Sequence, residues 1–393
     1  MRKVYLDHNA TTALHPEALA AMTPYLVERF GNASSVHAWG REARTALEAA
    51  RTLIAGSLQI ADKDSIVFTS GGTEADNLAL LGVAAAQQAK GRHIITSAVE
   101  HHAVLHAAAH LARHGFEVTS LQVDGDGLLD PEDVRRAIRP DTILVSLMHA
   151  NNETGVLFPV AAVGRICRGA NVTFHTDAVQ SFGKLSLDAG ALAVDLLSLS
   201  AHKIHGPKGV GALYVRRGTK MQPLLFGGAQ ERSRRAGTEN VAGAVGFARA
   251  AELCLRDVEG TAKRLADLRD RLEHGLVAAL PGVTRNGHPT ERLPQTANLA
   301  FAGVEAESLI LALDLQGVGV SSGAACASGS LEPSHVLTAM GLSRGRAENS
   351  IRFSLGAGTT PEDVDYVLQI LPPIVLRMRC LNAGLPPRRE AQP

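Results

Sequence analysis

Between residues 65 and 217 short β-branched or apolar runs alternate with amphipathic stretches. That alternation restricts the chain to βαβ units wound around a largely parallel sheet, an α/β fold. The spacing predicts strands over 65–69, 93–98, 117–123, 142–149, 173–176, 196–200 and 209–215, with helices over 74–90, 103–114, 131–138 and 160–168. In such sheets ligands collect beyond the carboxyl ends of the strands, so the chemistry is sought in the residues that follow each one. Upstream, 39–58 reads as a single helix. Downstream the pattern changes to two long helices over 240–258 and 261–280, followed by strands 295–301, 318–321 and 350–354 and helices 306–315, 334–340 and 361–381. The change places a domain boundary near Gly260. Paired prolines and lost periodicity mark 382–393 as a disordered tail.

A chain of 393 residues has room for two domains, and 45% hydrophobic against 20% charged residues excludes a disordered or fibrous chain. With 39 basic and 39 acidic residues and aromatics at 4%, nothing attracts a phosphate backbone or stacks on bases, so nucleic acid is not an expected partner. No apolar run reaches the ~18 residues of a membrane span, and the first residues meet Asp7 too early for a secretion signal. No membrane association is expected, and the chain is placed in the cytoplasm. Cys167, Cys254, Cys326 and Cys380 are far apart with no Cys-x-x-Cys, against a disulfide framework or a self-contained zinc site. A special cysteine must act alone.

Five places after successive strands carry chemistry. Lys203, past the strand 196–200, sits where desolvation can free its amine for a Schiff base, although a solvated loop lysine reads the same. Asp177 ends another strand and can hold a pyridinium nitrogen protonated; alone it is equally a helix cap. Ser70-Gly71-Gly72-Thr73-Glu74 offers free backbone N–H groups and a helix dipole to a phosphate, while matching no dinucleotide or Walker fingerprint. His101 follows the strand 93–98 on a loop, where an imidazole can stack on a flat cofactor and carry protons, against the background of sixteen histidines. Asn151-Asn152-Glu153-Thr154-Gly155 supplies amides or merely a turn. Lysine, carboxylate, phosphate turn and stacking ring at one sheet edge together match pyridoxal phosphate. In the second domain, Cys326 lies within a bulk-free run of Gly, Ala and Ser read as a mobile loop, which makes it the reactive thiol of the four. Arg352, in a strand pattern, reads as a carboxylate clamp or a surface arginine, and Thr238 reads first as the N-cap of the helix that follows.

The segments Tyr5-Leu6-Asp7-His8-Asn9-Ala10-Thr11-Thr12, Phe68 to Glu74, Asn151 to Gly155, Thr176 to Gln180, His202-Lys203, Arg234 to Asn240, the Cys326 region and Ile351 to Leu355 resemble the cysteine desulfurases, most closely the nitrogen-fixation (NifS-type) members. The resemblance implies the aspartate-aminotransferase-like fold type I of pyridoxal-phosphate enzymes. It divides the chain into a large cofactor domain over 15–260 and a small domain from 1–14 and 261–381. Lys203 would bind pyridoxal 5'-phosphate as a Schiff base, Asp177 pair with its ring nitrogen, His101 stack on the ring, and Gln180 and Asn152 bond its phenolic oxygen. Gly72, Thr73, Ser200, Ala201 and His202 would surround the phosphate, joined by Thr238 of the other subunit of a homodimer. Arg352 and Asn152 would hold the carboxylate of L-cysteine. Lys203, His101 and Cys326 would be catalytic, giving L-alanine and a Cys326 persulfide for a U-type iron–sulfur scaffold protein. That persulfide is also a possible transient cluster ligand. The motifs favour a role in nitrogenase cluster assembly over the housekeeping (IscS-type) alternative or another pyridoxal-phosphate lyase or aminotransferase. Ala201, Ala325, Ala327 and His102 depart from the commoner pattern beside catalytic positions.

Overall fold

The computed structural model describes residues 2–322 and 333–384. The chain enters through a two-residue strand, β1 (Val4–Tyr5), and then builds a seven-stranded sheet from β2 (Ile66–Thr69), β3 (His93–Ser97), β4 (Glu117–Leu121), β5 (Thr142–Ser146), β6 (Thr173–Asp177), β7 (Leu196–Ser200) and β8 (Gly211–Val215). Their order is β2-β8-β7-β6-β5-β3-β4. Only β8 runs against its neighbours, and the other pairings are parallel. All the remaining strands therefore end at one edge.

Two helices start at that edge, α3 (Gly72–Gln87) after β2 and α4 (His102–Arg113) after β3, while α1 (Pro16–Val27) and α2 (Ala38–Ser57) precede the sheet in the chain. Because successive strand residues point to opposite faces, each strand feeds two cores. Val67, Ile94, Leu144, Leu196 and Leu213 pack with Leu78 and Val83 of α3 and Val104 of α4. Phe68, Ile95, Val145, Leu197 and Ala212 pack on the other side with Leu47 and Ile54 of α2 and Phe247 of the helix Val241–Leu255. Each such buried Leu, Ile or Phe stabilises the sheet by about 1.5–3 kcal/mol. Arg51 of α2 crosses this core at 2% exposure, its guanidinium paired with both carboxylate oxygens of Glu231 at 2.7 Å. Glu231 also accepts the Phe68 N–H at 2.9 Å, fixing β2.

A third core gathers the ends of the chain. β9 (Val283–Asn286), β10 (Thr296–Phe301) and β12 (Ser350–Ser354) form an antiparallel sheet, and β11 (Val318–Gly319) pairs in parallel with β1. Leu299, Phe301, Ile351 and Phe353 pack with Leu6, with Leu272 of the helix Val258–Ala279 and with Leu371 of the helix Pro361–Asn382.

Several boundaries move for identifiable reasons. α1, absent from the sequence expectations, starts at Pro16 where the His15 imidazole accepts the Glu17 N–H. The two long helices part at Arg256–Asp257, because Asp257 caps the second by accepting the Gly260 N–H; Gly260 thus lies inside its first turn. Asn240, not Thr238, caps the helix Val241–Leu255 through the Gly243 N–H. The last helix runs through Asn382, one residue into the expected tail, and 385–393 lie outside the described residues.

Candidate active site

The strand ends deliver side chains to one cavity of about 400 Å3. Gly72 and Thr73 face it from the start of α3, His101 from the segment after β3, and Met148 and Asn152 from that after β5. Asp177 and Gln180 follow from the end of β6, and Ser200, His202 and Lys203 from the end of β7. Asn9 and Ala10 close it from the N-terminal segment and Arg352 from β12. The small-core elements thus complete the wall of the large sheet.

Lys203 lies in the turn Ala201–Lys203 with its Nζ donating to the carbonyls of Asn9 (2.5 Å) and Ala10 (2.8 Å). Asn9 is itself pinned, its amide donating to Thr296 Oγ1 at 2.9 Å and its carbonyl accepting from Gln180 at 2.9 Å. Arg352 is 2% exposed; its Nη2 donates to Asp7 at 2.7 Å and its Nη1 to the Asn152 carbonyl at 3.0 Å.

His101 stands at the N-cap of α4 rather than in an open loop, its Nδ1 accepting the Ala103 N–H at 3.1 Å. That bond requires a neutral ring with its proton on Nε2. Burial, with Lys203 nearby, agrees by pushing its pKa down to about 4. Asp177 accepts the Val179 N–H at 2.9 Å, and burial raises it to about 6 against that bond and the charge of Lys203. Behind it Asp76 of α3 is 1% exposed, and burial plus the Asp177 charge hold it well above the usual carboxylate range. Burial and that neighbouring charge both favour the protonated form of Asp76 beside Asp177. Buried His175 completes the layer, bridging Ser146 (2.8 Å) and Ser198 (2.9 Å).

The expected residues Gly72, Thr73, His101, Asn152, Asp177, Gln180, Ser200, His202, Lys203 and Arg352 all converge on this cavity. Ala201, the first residue of the turn that carries Lys203, is fully buried and does not line the cavity. Thr238 is exposed and does not line it either. Cys326, together with its cluster-ligand role, lies outside the described residues. Sequence reasoning missed Asn9 and Asp76. Asn9 sat within a quoted motif without a role, and Asp76 carried a signal: an acid on the stripe that includes Leu80 and Val83 of an otherwise apolar helix face.

Residues 4–367 match the family described as aminotransferase class-V. The protein named cysteine desulfurase IscS of Dictyoglomus turgidum is 51% identical over 381 residues, covering 97% of this chain and 96% of that protein. The chain is a cysteine desulfurase of the class-V aminotransferase family. A second such relative, cysteine desulfurase IscS of Methanosarcina thermophila, is 50% identical over 98% of this chain and 95% of its own length. Among solved structures, a NifS-like protein superposes with a TM-score of 0.90 at 39% identity, covering 95% of this chain and 99% of that one. The structure titled SspA in complex with cysteine gives 0.81 at 35% identity, covering 91% and 100%. The fold is that of type I pyridoxal-phosphate transferases, as the sequence implied.

This desulfurase depends on pyridoxal 5'-phosphate, and the cavity fits that group. Ser200 Oγ is buried there without a hydrogen-bond partner among the described residues. A Cβ on Gly72 would stand 2.7 Å from Val179 Cγ2, so the start of α3 stays open only with glycine. Glu74, which would repel a phosphate beside that helix end, is neutralised by Arg235 at 2.8 Å. No described helix is long and apolar enough to cross a membrane.

Proposed function

We propose that this desulfurase uses the cavity residues as follows. Gly72, Thr73, Ser200 and His202 hold the phosphate of the cofactor, Asp177 faces its ring nitrogen, His101 its ring, and Gln180 and Asn152 its phenolic oxygen. Bound there, pyridoxal phosphate supplies an electron sink that weakens bonds at the substrate's Cα and Cβ. Arg352, with Asn152 beside it, orients the carboxylate of L-cysteine by a bidentate bond. The Lys203 amine, leaving the carbonyls of Asn9 and Ala10, takes the Cα proton. Neutral His101 presents its Nε2–H to the cavity, and it relays a proton by taking one up at Nδ1, as that atom releases the Ala103 N–H, and giving up the one on Nε2. Cys326 bonds to the substrate sulfur as the Cβ–S bond breaks, which leaves a persulfide on Cys326 and, after proton return, L-alanine.

The convergence of Lys203, His101, Asp177 and Arg352 on one cavity carries this reading. Its test is incubation with L-cysteine and a reductant, with alanine and sulfide assayed together. Wild type should release both in equal amounts, Lys203→Ala neither. Alanine without sulfide or persulfide would contradict the assignment of a sulfur transferase.

The names of the relatives favour general iron–sulfur assembly over the nitrogen-fixation role suggested by the motifs. The acceptor is then a U-type scaffold protein, and loss of the gene should impair growth on fixed nitrogen; normal growth there would restore the nitrogenase reading. A homodimer belongs to the same proposal. Exposed Phe30, Val36 and Phe226 offer apolar surface for it, and exposed Thr238 is free to reach a partner's phosphate. We place residues 15–260 in the large domain and 1–14 with 261–381 in the small one. Cytoplasmic operation accords with the unbridged thiols of Cys167, Cys254 and Cys380.

A further inference from the structure

A second cavity, of about 330 Å3, lies on the far side of Lys203, where the small-core elements meet the large sheet. That volume is within the range of small-molecule sites, and such sites favour junctions between domains. Its walls are largely apolar, with Ile204, Leu253, Leu265 and Leu355 among them, yet its polar groups are mainly cationic or neutral: Lys184, Lys203, His8, His205 and Arg256. The two carboxylates of the lining are already engaged. Glu17 pairs with Arg249, and Asp257 caps its helix. Lys184 Nζ has a neutral acceptor, Gln180 Oε1 at 2.9 Å. Burial, then the charge of Lys203, pushes its ammonium down to about 7, and among the described residues no carboxylate is paired with it. Two further lining atoms, Nδ1 of His8 and Oε1 of the 1% exposed Gln295, are buried without hydrogen-bond partners among the described residues.

We propose that this rear cavity binds a small organic monocarboxylate, its anionic end at Lys184 and its apolar part against Ile204, Leu253 and Leu265. Amino acids are excluded, because their ammonium would face Lys184 and Lys203. Occupancy is transmitted forward by a short chain of bonds, from Lys184 to Gln180 and from Gln180 to the Asn9 carbonyl at 2.9 Å, Gln180 being the residue assigned to the phenolic oxygen of the cofactor. A carboxylate that draws Lys184 away frees Gln180 and alters the setting of the cofactor. This transmission rests on the assignment of Gln180 to the cofactor; the binding does not.

The test uses hexanoate as the probe on holoenzyme, with calorimetry for binding and the visible absorbance of the cofactor for transmission. Expected results are saturable binding not displaced by L-cysteine, a shift of the absorbance band, and affinity lower by at least about tenfold in Lys184→Met. Ala262→Phe, which adds bulk to the cavity lining from the helix Val258–Ala279, should abolish binding. Hexylammonium should not bind. Absence of binding to wild type, equal binding by both variants, or displacement by L-cysteine would overturn the proposal. Binding without a change in absorbance would overturn the transmission. Calorimetry on the apoenzyme gives the binding result even if the cofactor assignments fail.

Discussion

Lys203 and Asn9, 194 positions apart, meet where the lysine Nζ donates to the asparagine carbonyl at 2.5 Å. The reactive amine is thereby tied to a segment whose own anchors, Thr296 and Ser354, belong to the small antiparallel sheet. A displacement of that sheet is felt directly at the catalytic nitrogen.

Asn9→Ala keeps the carbonyl but removes the side-chain bonds to Thr296 and Asn152. Loss of this positioning should lower alanine formation by about ten- to a hundredfold with the fold intact. Steady-state rates together with a circular-dichroism melt check it; unaltered turnover would show that the segment does not place the amine.

Arg352→Lys should raise the KM for L-cysteine by about ten- to a hundredfold while cofactor absorbance is retained. A lysine cannot reproduce the two-pronged bond to a carboxylate or the pair of contacts to Asp7 and Asn152. An unchanged KM would remove Arg352 from substrate binding.

The sequence made most of the sheet legible, because strand periodicity survives wherever both faces are buried. β3 and β5 nevertheless end before their apolar runs do: 147 and 148 stay buried beyond β5, 98 and 149 are half-buried, and single backbone bonds from Ala98 to Leu121, Leu147 to His175 and His149 to Asp177 continue past the strand ends. Residues placed directly after strands, such as Asp177 and Lys203, were legible for the same reason. Contacts between distant segments were not. Nothing local in Arg51 shows that Glu231 will meet it, nor in Asn9 that Lys203 will. Thr238 yielded its capping role to Asn240 because Thr, Glu and Asn within three positions offer competing caps that only the backbone path decides.

Glu231→Ala should destabilise the protein by about 3–5 kcal/mol, since Arg51 at 2% exposure would keep only the single contact to Glu48 at 3.2 Å and the Ile66 carbonyl, and the Phe68 N–H would lose its acceptor. Denaturant titration measures it. A change below about 1 kcal/mol would show that the pair is replaced by solvent.

Glu100 gives a pH signature. Buried and accepting from Ser97 Oγ (2.6 Å) and the Met148 N–H (3.0 Å), it is raised by burial to about 8. A carboxyl raised on folding binds its proton in the native state at pH values where the unfolded chain has lost it. Its contribution is full below the unfolded value near 4.5 and declines as pH rises toward 8, at about 1.4 kcal/mol per pH unit at most. Glu100→Gln, which cannot ionise, should therefore flatten the stability profile between pH 4.5 and 8. Parallel profiles for variant and wild type would place the ionisation elsewhere.

His101 should remain neutral across the working range, its ring titrating near 4 rather than 6.5 in a nitrogen-15 NMR titration. Its depressed value also means that stability from this group is present above 6.5 and lost as pH falls toward 4. A midpoint near 6.5 would detach the ring from the buried cap at α4.

The most direct measurement is borohydride reduction of the coloured holoenzyme followed by peptide mass spectrometry. The account predicts a pyridoxyl-phosphate adduct on Lys203. An adduct on Lys184, or on no lysine of the cavity, would contradict it.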